Sequence, residues 1–158
     1  MNMHVFSLLH EDHENVALIF KKIDSMKSQE TAQTHEQLFK ELSTELELHA
    51  KVEEDIVYPV FKKHGETRQI VEESVREHKE IDRLLSELKG MRPDDQKWMG
   101  KLGELQRKAE HHVKEEEEQL FPQGRKIISE DQAQQLGETV ENKKEELRGQ
   151  RSGFKVVS

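Results

Sequence analysis

The chain has 158 residues and a formal net charge of −8, with 37% charged and 32% hydrophobic residues. This acidic balance is unlike that of a nucleic-acid-binding domain, which needs a basic face, and no apolar run approaches the roughly 18 residues of a membrane span. The absence of cysteine excludes thiolate metal sites, disulfides and thiol redox chemistry, and the short, polar N-terminus is unlike a signal peptide, so we expect a cytoplasmic location.

The sequence predicts an all-α protein of five helices, because Gly and Pro are few and the good helix formers Glu, Lys, Gln and Leu dominate. The expected helices span residues 7–27, 31–63, 67–89, 94–121 and 129–148. We expect the first four to form one bundle over residues 1–128. The fifth, shorter helix (129–148) packs on this bundle or extends it. Residues 149–158 show no pattern and are expected to form a flexible tail.

Local signals mark the limits of these helices. Thr31 and Thr34 are candidate N-caps of the second helix, and Gly65 fits its C-cap. Pro122 marks either the end of the fourth helix or a kink in it. Ser129 begins a Ser-x-x-Gln capping box at the start of the fifth helix.

Apolar residues at spacings of three and four mark one inward face on each of the first four helices. Four histidines and two glutamates occupy positions on these faces where a bundle normally places Leu or Ile. They are, in chain order, His13, His49, Glu53, His78, His112 and Glu116. Each lies near the middle of its helix, with apolar residues of the same face on both sides. We therefore expect six polar side chains to meet in the core.

The sequence repeats itself around these residues. The stretch "HAKVEEDIVYP" begins at His49 and "HVKEEEEQLFP" begins at His112. In both, the His is followed by Glu at four and five places and by an aromatic residue and Pro at nine and ten. Each copy also follows a lone inward-facing His, which is His13 in the first half and His78 in the second. The halves therefore resemble two helical hairpins related by a pseudo-two-fold axis, which predicts an up-down-up-down four-helix bundle.

Bound metal would account for such a cluster. An unpaired buried ion costs on the order of several kcal/mol, a large share of the roughly 5–15 kcal/mol that stabilises a small domain. No Arg or Lys lies on the same faces of the first four helices. A His and a Glu four residues apart share a helix face and can reach one ion or two neighbouring ions. Six ligands are too many for one tetrahedral zinc. They suit two six-coordinate ions with bridging carboxylates, for which iron fits best and manganese is second.

Weaker candidates and competing interpretations stay open at this point. His111 and Glu115 share the four-residue spacing but lie about 100° away from the inward face. Tyr58 points away from the site in an ideal helix, so we expect it to pack rather than to bind metal, with a distortion of this turn by Pro59 as the alternative. A packed core histidine is the alternative for any single His, and a solvated face is the alternative for the acidic run at 115–118. The remaining weak candidates for a metal role are His10, Asp82 and Glu117.

These motifs resemble the hemerythrin-like, or HHE cation-binding, domain over about residues 5–125. The resemblance implies a four-helix bundle with a non-haem centre of two iron ions joined by an oxo or hydroxo bridge, in which manganese or zinc can substitute. It selects the same six residues as ligands, with Glu53 and Glu116 as bridges. The oxygen-carrying members have a His-x3-His pair and a His-x4-Asp arrangement. Here Asp82 stands in place of the second His of the pair. Glu116 and Glu117 stand four and five residues after His112, so a Glu takes the place of the Asp. The site is therefore poorer in imidazole.

The resemblance implies a protein that binds or senses O2, or a related molecule such as NO or peroxide, at an open coordination position. The alternative is a di-iron enzyme with peroxidase-like or iron-oxidising activity, although the Glu-x-x-His motifs of ferritin-like bundles are absent at His49, His78 and His112. A metal-free interaction module is a third hypothesis. The basic segment 151–158 loosely resembles the docking peptides of hemerythrin-like proteins packaged in bacterial nanocompartments, but an unstructured end explains it better.

Overall fold

The computed structural model describes residues 3–25 and 32–157, and this part of the chain contains helices and no strand. The helices are α1 (Val5–Ser25), α2 (Ala32–Val52, a π-helical turn at Glu53–Val57, and Tyr58–Lys62), α3 (Gly65–Lys89), α4 (Trp98–Glu115, a π-helical turn at Glu116–Leu120, and Phe121–Ile127) and α5 (Glu130–Val157). None of the helices in the described part is both long enough and apolar enough to cross a membrane. The candidate cap Thr31 and the predicted end of the first helix at Lys27 lie outside the described residues.

Two apolar clusters fill the core, one towards each end of the bundle. The upper cluster contains Phe39, Leu84 and Trp98, and the lower cluster contains Phe6 and Phe61. Helices α1 and α3 pass from the lower cluster to the upper one, whereas α2 and α4 pass in the opposite direction. This alternation is the up-down-up-down arrangement, so the prediction of an all-α bundle is confirmed.

Helix α5 begins where the sequence predicts and closes one side of the bundle. The Ser129 hydroxyl accepts a hydrogen bond from the backbone N–H of Gln132 at 3.1 Å, and the Gln132 side chain accepts one from the N–H of Ser129 at 2.8 Å. The predicted capping box is therefore confirmed. Farther along, Ala133 and Val140 are buried in the lower cluster, so α5 contributes to the core.

A glycine on α5 allows the N-terminal segment of the chain, at Met3, to cross the helix closely. A Cβ atom at Gly137 would overlap the carbonyl oxygen of Met3, so any larger residue would push the crossing chain away. Helix α5 then continues past Arg148, where the apolar pattern ends, to Val157. The flexibility of residues 149–158 stays a prediction, and the side chains of 150–158 lie outside the described part.

Two helix limits differ from the prediction. Gly65 does not cap α2 but is the first residue of α3, because the break falls at His64, which has extended backbone angles. The Thr67 hydroxyl donates a hydrogen bond to the carbonyl of Phe61 across this break at 2.5 Å, which satisfies the end of α2. Pro122 does not end α4, because it sits in the first turn of the α-helical segment that follows the π-helical turn, where its missing N–H is tolerated.

Candidate metal centre

The six residues predicted as ligands meet in one buried layer between the upper and lower clusters. Their exposed fractions range from 0% to 6%, for His13, His49, Glu53, His78, His112 and Glu116. Helical periodicity brings them together, because each continues the inward face that also carries the apolar residues of its helix. Their role as metal ligands stays a prediction, and their convergence is a property of the fold.

The layer divides into two groups of ligand atoms that share one carboxylate. The first group is His13, His49, Glu53 and Glu116, and the second is Glu53, His78 and His112. Within each group the ligand atoms lie within 4.8 Å of one another. Glu116 also reaches both groups, since its Oε1 is 3.0 Å from His13 Nε2 and its Oε2 is 3.6 Å from His112 Nε2. Glu53 and Glu116 therefore lie where carboxylates that bridge two ions would lie.

Several nitrogen and oxygen atoms of the layer lack an ordinary hydrogen-bond partner, and their lone pairs can bind a cation once the imidazoles are deprotonated. His49 Nε2 and Glu53 Oε2 are buried and have no hydrogen-bond partner among the described residues. His78 Nε2 and His112 Nε2 face each other at 3.1 Å, and each ring has its other nitrogen on a carboxylate. Leaving such groups unpaired is costly in a dry core, whereas a cation uses all of these lone pairs. The donor set therefore fits two bound metal ions.

A carboxylate lies behind every imidazole of the layer. The Nδ1–carboxylate pairs are His13–Glu117 at 2.7 Å, His49–Asp12 at 2.8 Å, His78–Glu54 at 2.7 Å and His112–Glu77 at 2.8 Å. A carboxylate acceptor makes Nδ1 the protonated nitrogen and directs the Nε2 lone pair into the layer. Metal-binding histidines in proteins are usually held in this way.

These contacts explain why the sequence carries the Glu-Glu pair twice. The first Glu of each pair faces the layer, and the second, Glu54 or Glu117, holds the lone His of a neighbouring helix. The acidic residue just before each lone His, Asp12 or Glu77, holds the His that begins a repeated motif. Sequence reasoning did not assign these four roles. The signal available was an acidic residue at the same position in both halves.

Tyr58 lies in the layer, so the expectation that it points away is wrong. Its hydroxyl donates a hydrogen bond to Glu116 Oε2 at 2.5 Å and is also 3.0 Å from Glu53 Oε1. The same oxygen is 3.4 Å from His78 Nε2. The phenol is therefore a seventh polar group of the layer, with both bridging carboxylates within reach.

The π-helical turn in α2 causes this difference. A π-helical turn accommodates one more residue than an α-helical turn and rotates the following residues by about 100° relative to an ideal helix. The turn at Glu53–Val57 ends immediately before Tyr58. In α4 the turn at Glu116–Leu120 acts equivalently on Phe121, whose ring stacks on His13 with centroids 5.9 Å apart. The two halves thus place an aromatic ring at the same point, and only one ring has a hydroxyl.

A lysine from the fifth helix balances part of the negative charge. Lys144 is 5% exposed and donates a hydrogen bond to the carboxylate of Asp12. The expectation that no cation neutralises the cluster therefore holds only for the first four helices. Lys144 lies four residues after Val140 and three before Leu147, so it continues the apolar face of α5, which was the signal for its burial.

The carboxylates control the charge of the imidazoles. Burial opposes a charge on His49, but the charge of Glu53 and the hydrogen bond to Asp12 outweigh it and raise the pKa of His49 well above its ordinary value. Burial likewise opposes a charge on His112, yet Glu116 and its other acidic neighbours raise that pKa to about 10. Burial alone would raise the pKa of Glu53, but His49 and several hydrogen bonds hold it well below its usual range. Glu53 is consequently ionised, which is the form that binds cations, and a bound cation would displace the protons of His49 and His112.

Three of the weaker candidates, Asp82, His10 and His111, do not join the layer. Asp82 is exposed and belongs to none of the groups that could hold a metal ion in the described part of the chain. The side chain of His10 is 53% exposed. His111 and Glu115 form a separate group with Glu77 at the surface.

The fold and its buried layer define a helical bundle of the cation-binding class. The family model for the Hemerythrin HHE cation binding domain matches residues 4–124, and the chain belongs to this family. The resemblance inferred from the sequence is thereby confirmed. The chain is accordingly a cation-binding domain whose buried His/Glu cluster is able to hold a metal.

Two curated relatives share this similarity over most of the chain. A DNA nickase of Nostoc sp. is 26% identical over 137 residues, which cover 85% of this chain and 37% of that protein. An uncharacterized hemerythrin-like protein of Schizosaccharomyces pombe is 26% identical over 136 residues, which cover 85% of this chain and 66% of that protein. The chain thus spans less than two thirds of the length of either relative.

A solved structure shows the same fold. The crystal structure of a hemerythrin HHE cation binding domain-containing protein from Mycobacterium kansasii aligns with a TM-score of 0.83 at 22% identity. The alignment covers 98% of this chain and 93% of that one. The architecture of all five helices therefore recurs in a second protein.

Proposed function

We propose that the protein is a non-haem di-iron protein that binds or senses O2, or a related small molecule such as NO or peroxide. The observation that carries this proposal is the pair of ligand groups that share Glu53. Two adjacent groups with a common carboxylate suit two ions close together, and each imidazole is already oriented by a carboxylate behind it. Such a layer is built to hold two metal ions at a short separation.

The donor types favour iron. Imidazole and carboxylate ligands with open positions suit non-haem iron, and no thiolate is present to favour softer ions. Manganese or zinc can occupy the same donors. Bound iron supplies redox chemistry and a coordination position for a small ligand. The chain itself supplies the ligands, their orientation and a dry environment between two apolar clusters.

Tyr58 supports binding of a small oxygen- or nitrogen-containing molecule in this layer. Burial, together with the charges of Glu116 and Glu53, raises the pKa of Tyr58 well above its ordinary value. The hydroxyl therefore stays protonated and is a hydrogen-bond donor directed at the site. A small polar ligand beside the bridging carboxylates would be within reach of this donor.

The same hydroxyl favours a second candidate function, a di-iron enzyme with peroxidase-like or iron-oxidising activity. A phenol beside the bridging carboxylates can donate a hydrogen bond to a substrate oxygen on which negative charge develops. Sustained consumption of peroxide that is lost in His78→Ala would favour this function over reversible binding.

The experiment that tests the proposal is metal analysis of aerobically purified protein, combined with its visible spectrum. We expect about two irons per chain, as two ligand groups require, and an absorption band that changes reversibly as O2 is removed and restored. His49→Ala should lose iron, whereas His64→Ala, at the break between α2 and α3 and outside the layer, should keep it.

Chelator treatment of the purified protein gives the result that could contradict the proposal. Metal binding is coupled to folding when the ligands form part of the core, so removing the metal should lower the unfolding temperature. Equal stability before and after chelation, together with no bound iron, would leave the metal-free interaction module as the better hypothesis.

A further inference from the structure

A second cluster of metal-binding residue types lies at the surface between α3 and α4. It consists of Glu77, His111 and Glu115, whose ligand atoms lie within 4.8 Å of one another. His111 Nε2 is 3.0 Å from Glu115 Oε1 and 3.5 Å from Glu77 Oε2. One imidazole nitrogen thus faces two carboxylate oxygens from two different helices. We call this set the outer cluster.

The two oxygens of Glu77 have very different surroundings. Glu77 is 8% exposed, and its Oε1 accepts the hydrogen bond from His112 Nδ1 at 2.8 Å. Its Oε2 is buried and has no hydrogen-bond partner among the described residues. An unpaired buried carboxylate oxygen is costly. This oxygen is directed towards the outer cluster, where a cation would satisfy it.

At the equivalent position in the other half of the molecule, the second carboxylate oxygen does have a partner. Asp12 precedes the lone His of its half as Glu77 does, and it too holds a ring of the layer through Nδ1. Its second oxygen is bound by the ammonium group of Lys144. Among the described residues, no Lys or Arg lies within 4 Å of Glu77. The position that Lys144 fills beside Asp12 therefore has no lysine or arginine beside Glu77 among the described residues, and the imidazole of His111 lies there instead, 3.5 Å from Glu77 Oε2.

We infer that Glu77, His111 and Glu115 bind a divalent cation at the surface, and that Glu77 connects this outer cation to the buried layer through His112. One imidazole and two carboxylates suit zinc or a similar first-row divalent ion. The His111 side chain is 63% exposed, so water can complete the coordination. The Glu77 carboxylate then has a cation on one oxygen and the His112 ring on the other.

Zinc titration of the iron-loaded protein tests this inference. The protein is first filled with iron, washed with chelator and analysed for iron, so the state of the buried layer is known independently. Calorimetric titration with Zn²⁺ should then show about one further ion per chain. His111→Ala and Glu115→Gln should weaken this binding at least about tenfold, because each removes a ligand.

Glu14→Gln is the matched control. Glu14 is the acidic partner four residues after an exposed histidine, His10, at 3.1 Å. The other nitrogen of His10 faces Glu117, so the two carboxylates contact different nitrogens and no single point collects three ligand atoms. This variant should bind Zn²⁺ as the unmodified protein does.

Three results would overturn the inference. The first is absence of Zn²⁺ binding to the iron-loaded protein, and the second is unchanged affinity in both His111→Ala and Glu115→Gln. The third is Zn²⁺ uptake matched by release of iron, which would place zinc in the buried layer. Circular dichroism verifies that both variants fold. We expect His111→Ala to fold normally, because the His111 side chain is 63% exposed.

Discussion

The two ligand groups of the layer are built from the same motif but have different surroundings. In the group that contains His13, the ring stacked on that histidine is Phe121, and Asp12, which holds His49, is paired with Lys144. In the group that contains His78, the ring stacked on that histidine is Tyr58, with centroids 5.5 Å apart, and among the described residues no lysine pairs with the equivalent Glu77. The repeat therefore provides ligand geometry twice, whereas the phenol hydroxyl lies at one group and the lysine at the other. Two ions in this layer would consequently be chemically unequal.

The largest expected effect distinguishes the two bridging carboxylates. Glu53 belongs to both ligand groups, whereas Glu116 belongs to the first and only approaches the second, with its Oε2 3.6 Å from His112 Nε2. Glu53→Gln should therefore reduce iron from about two per chain to near none, and Glu116→Gln should retain about one, held by the second group. Metal analysis after chelator washing measures this. Equal losses in the two variants would show that the halves do not bind metal separately.

The next effect concerns the cation that only one half possesses. Lys144→Met leaves the buried Asp12 carboxylate without its ammonium partner and should lower the free energy of unfolding by about 3–5 kcal/mol. Urea denaturation measures the change. Lys143→Met is the control, because the ion pair of Lys143 in the described part of the chain is a long one to Glu146, at 3.9 Å, and its side chain is more exposed. A similar loss in both variants would contradict a specific role for the buried pair.

The carboxylates behind the two lone histidines test the pseudo-symmetry directly. Glu54→Gln and Glu117→Gln should each weaken metal affinity about 10–100-fold, because each removes the acceptor that orients one imidazole. Competition with a chelator of known affinity measures this, and Glu118→Gln serves as the control because Glu118 is exposed in the same acidic run. If only one of the two variants loses affinity, the halves differ in their ligands as well as in their surroundings.

The smallest effect follows from making the halves alike. Tyr58→Phe removes the hydroxyl and leaves a phenylalanine in both halves. It should lower the unfolding free energy of chelator-treated protein by about 1.5 kcal/mol, because the buried carboxylate of Glu116 loses a hydrogen-bond donor. Urea denaturation at constant slope detects this change. An unaltered midpoint would mean that the hydroxyl does not stabilise the carboxylates.

Sequence periodicity located the candidate site almost completely. The spacing of three and four residues sets the direction in which a side chain leaves its own helix. It therefore placed the histidines and the first Glu of each motif on inward faces, and all six meet in one layer. The capping box at Ser129 was equally readable, because it involves residues of a single turn.

The roles of Glu54, Glu117, Tyr58 and Lys144 were decided by tertiary structure. The second Glu of each pair leaves its helix beside the inward face, and only the neighbouring helix determines that a histidine lies there. Tyr58 faces the layer because a π-helical turn changes the rotation of α2, and Lys144 meets Asp12 because α5 packs against α1. A sequence specifies the direction of a side chain relative to its own helix axis. What the side chain meets depends on how separate helices pack together.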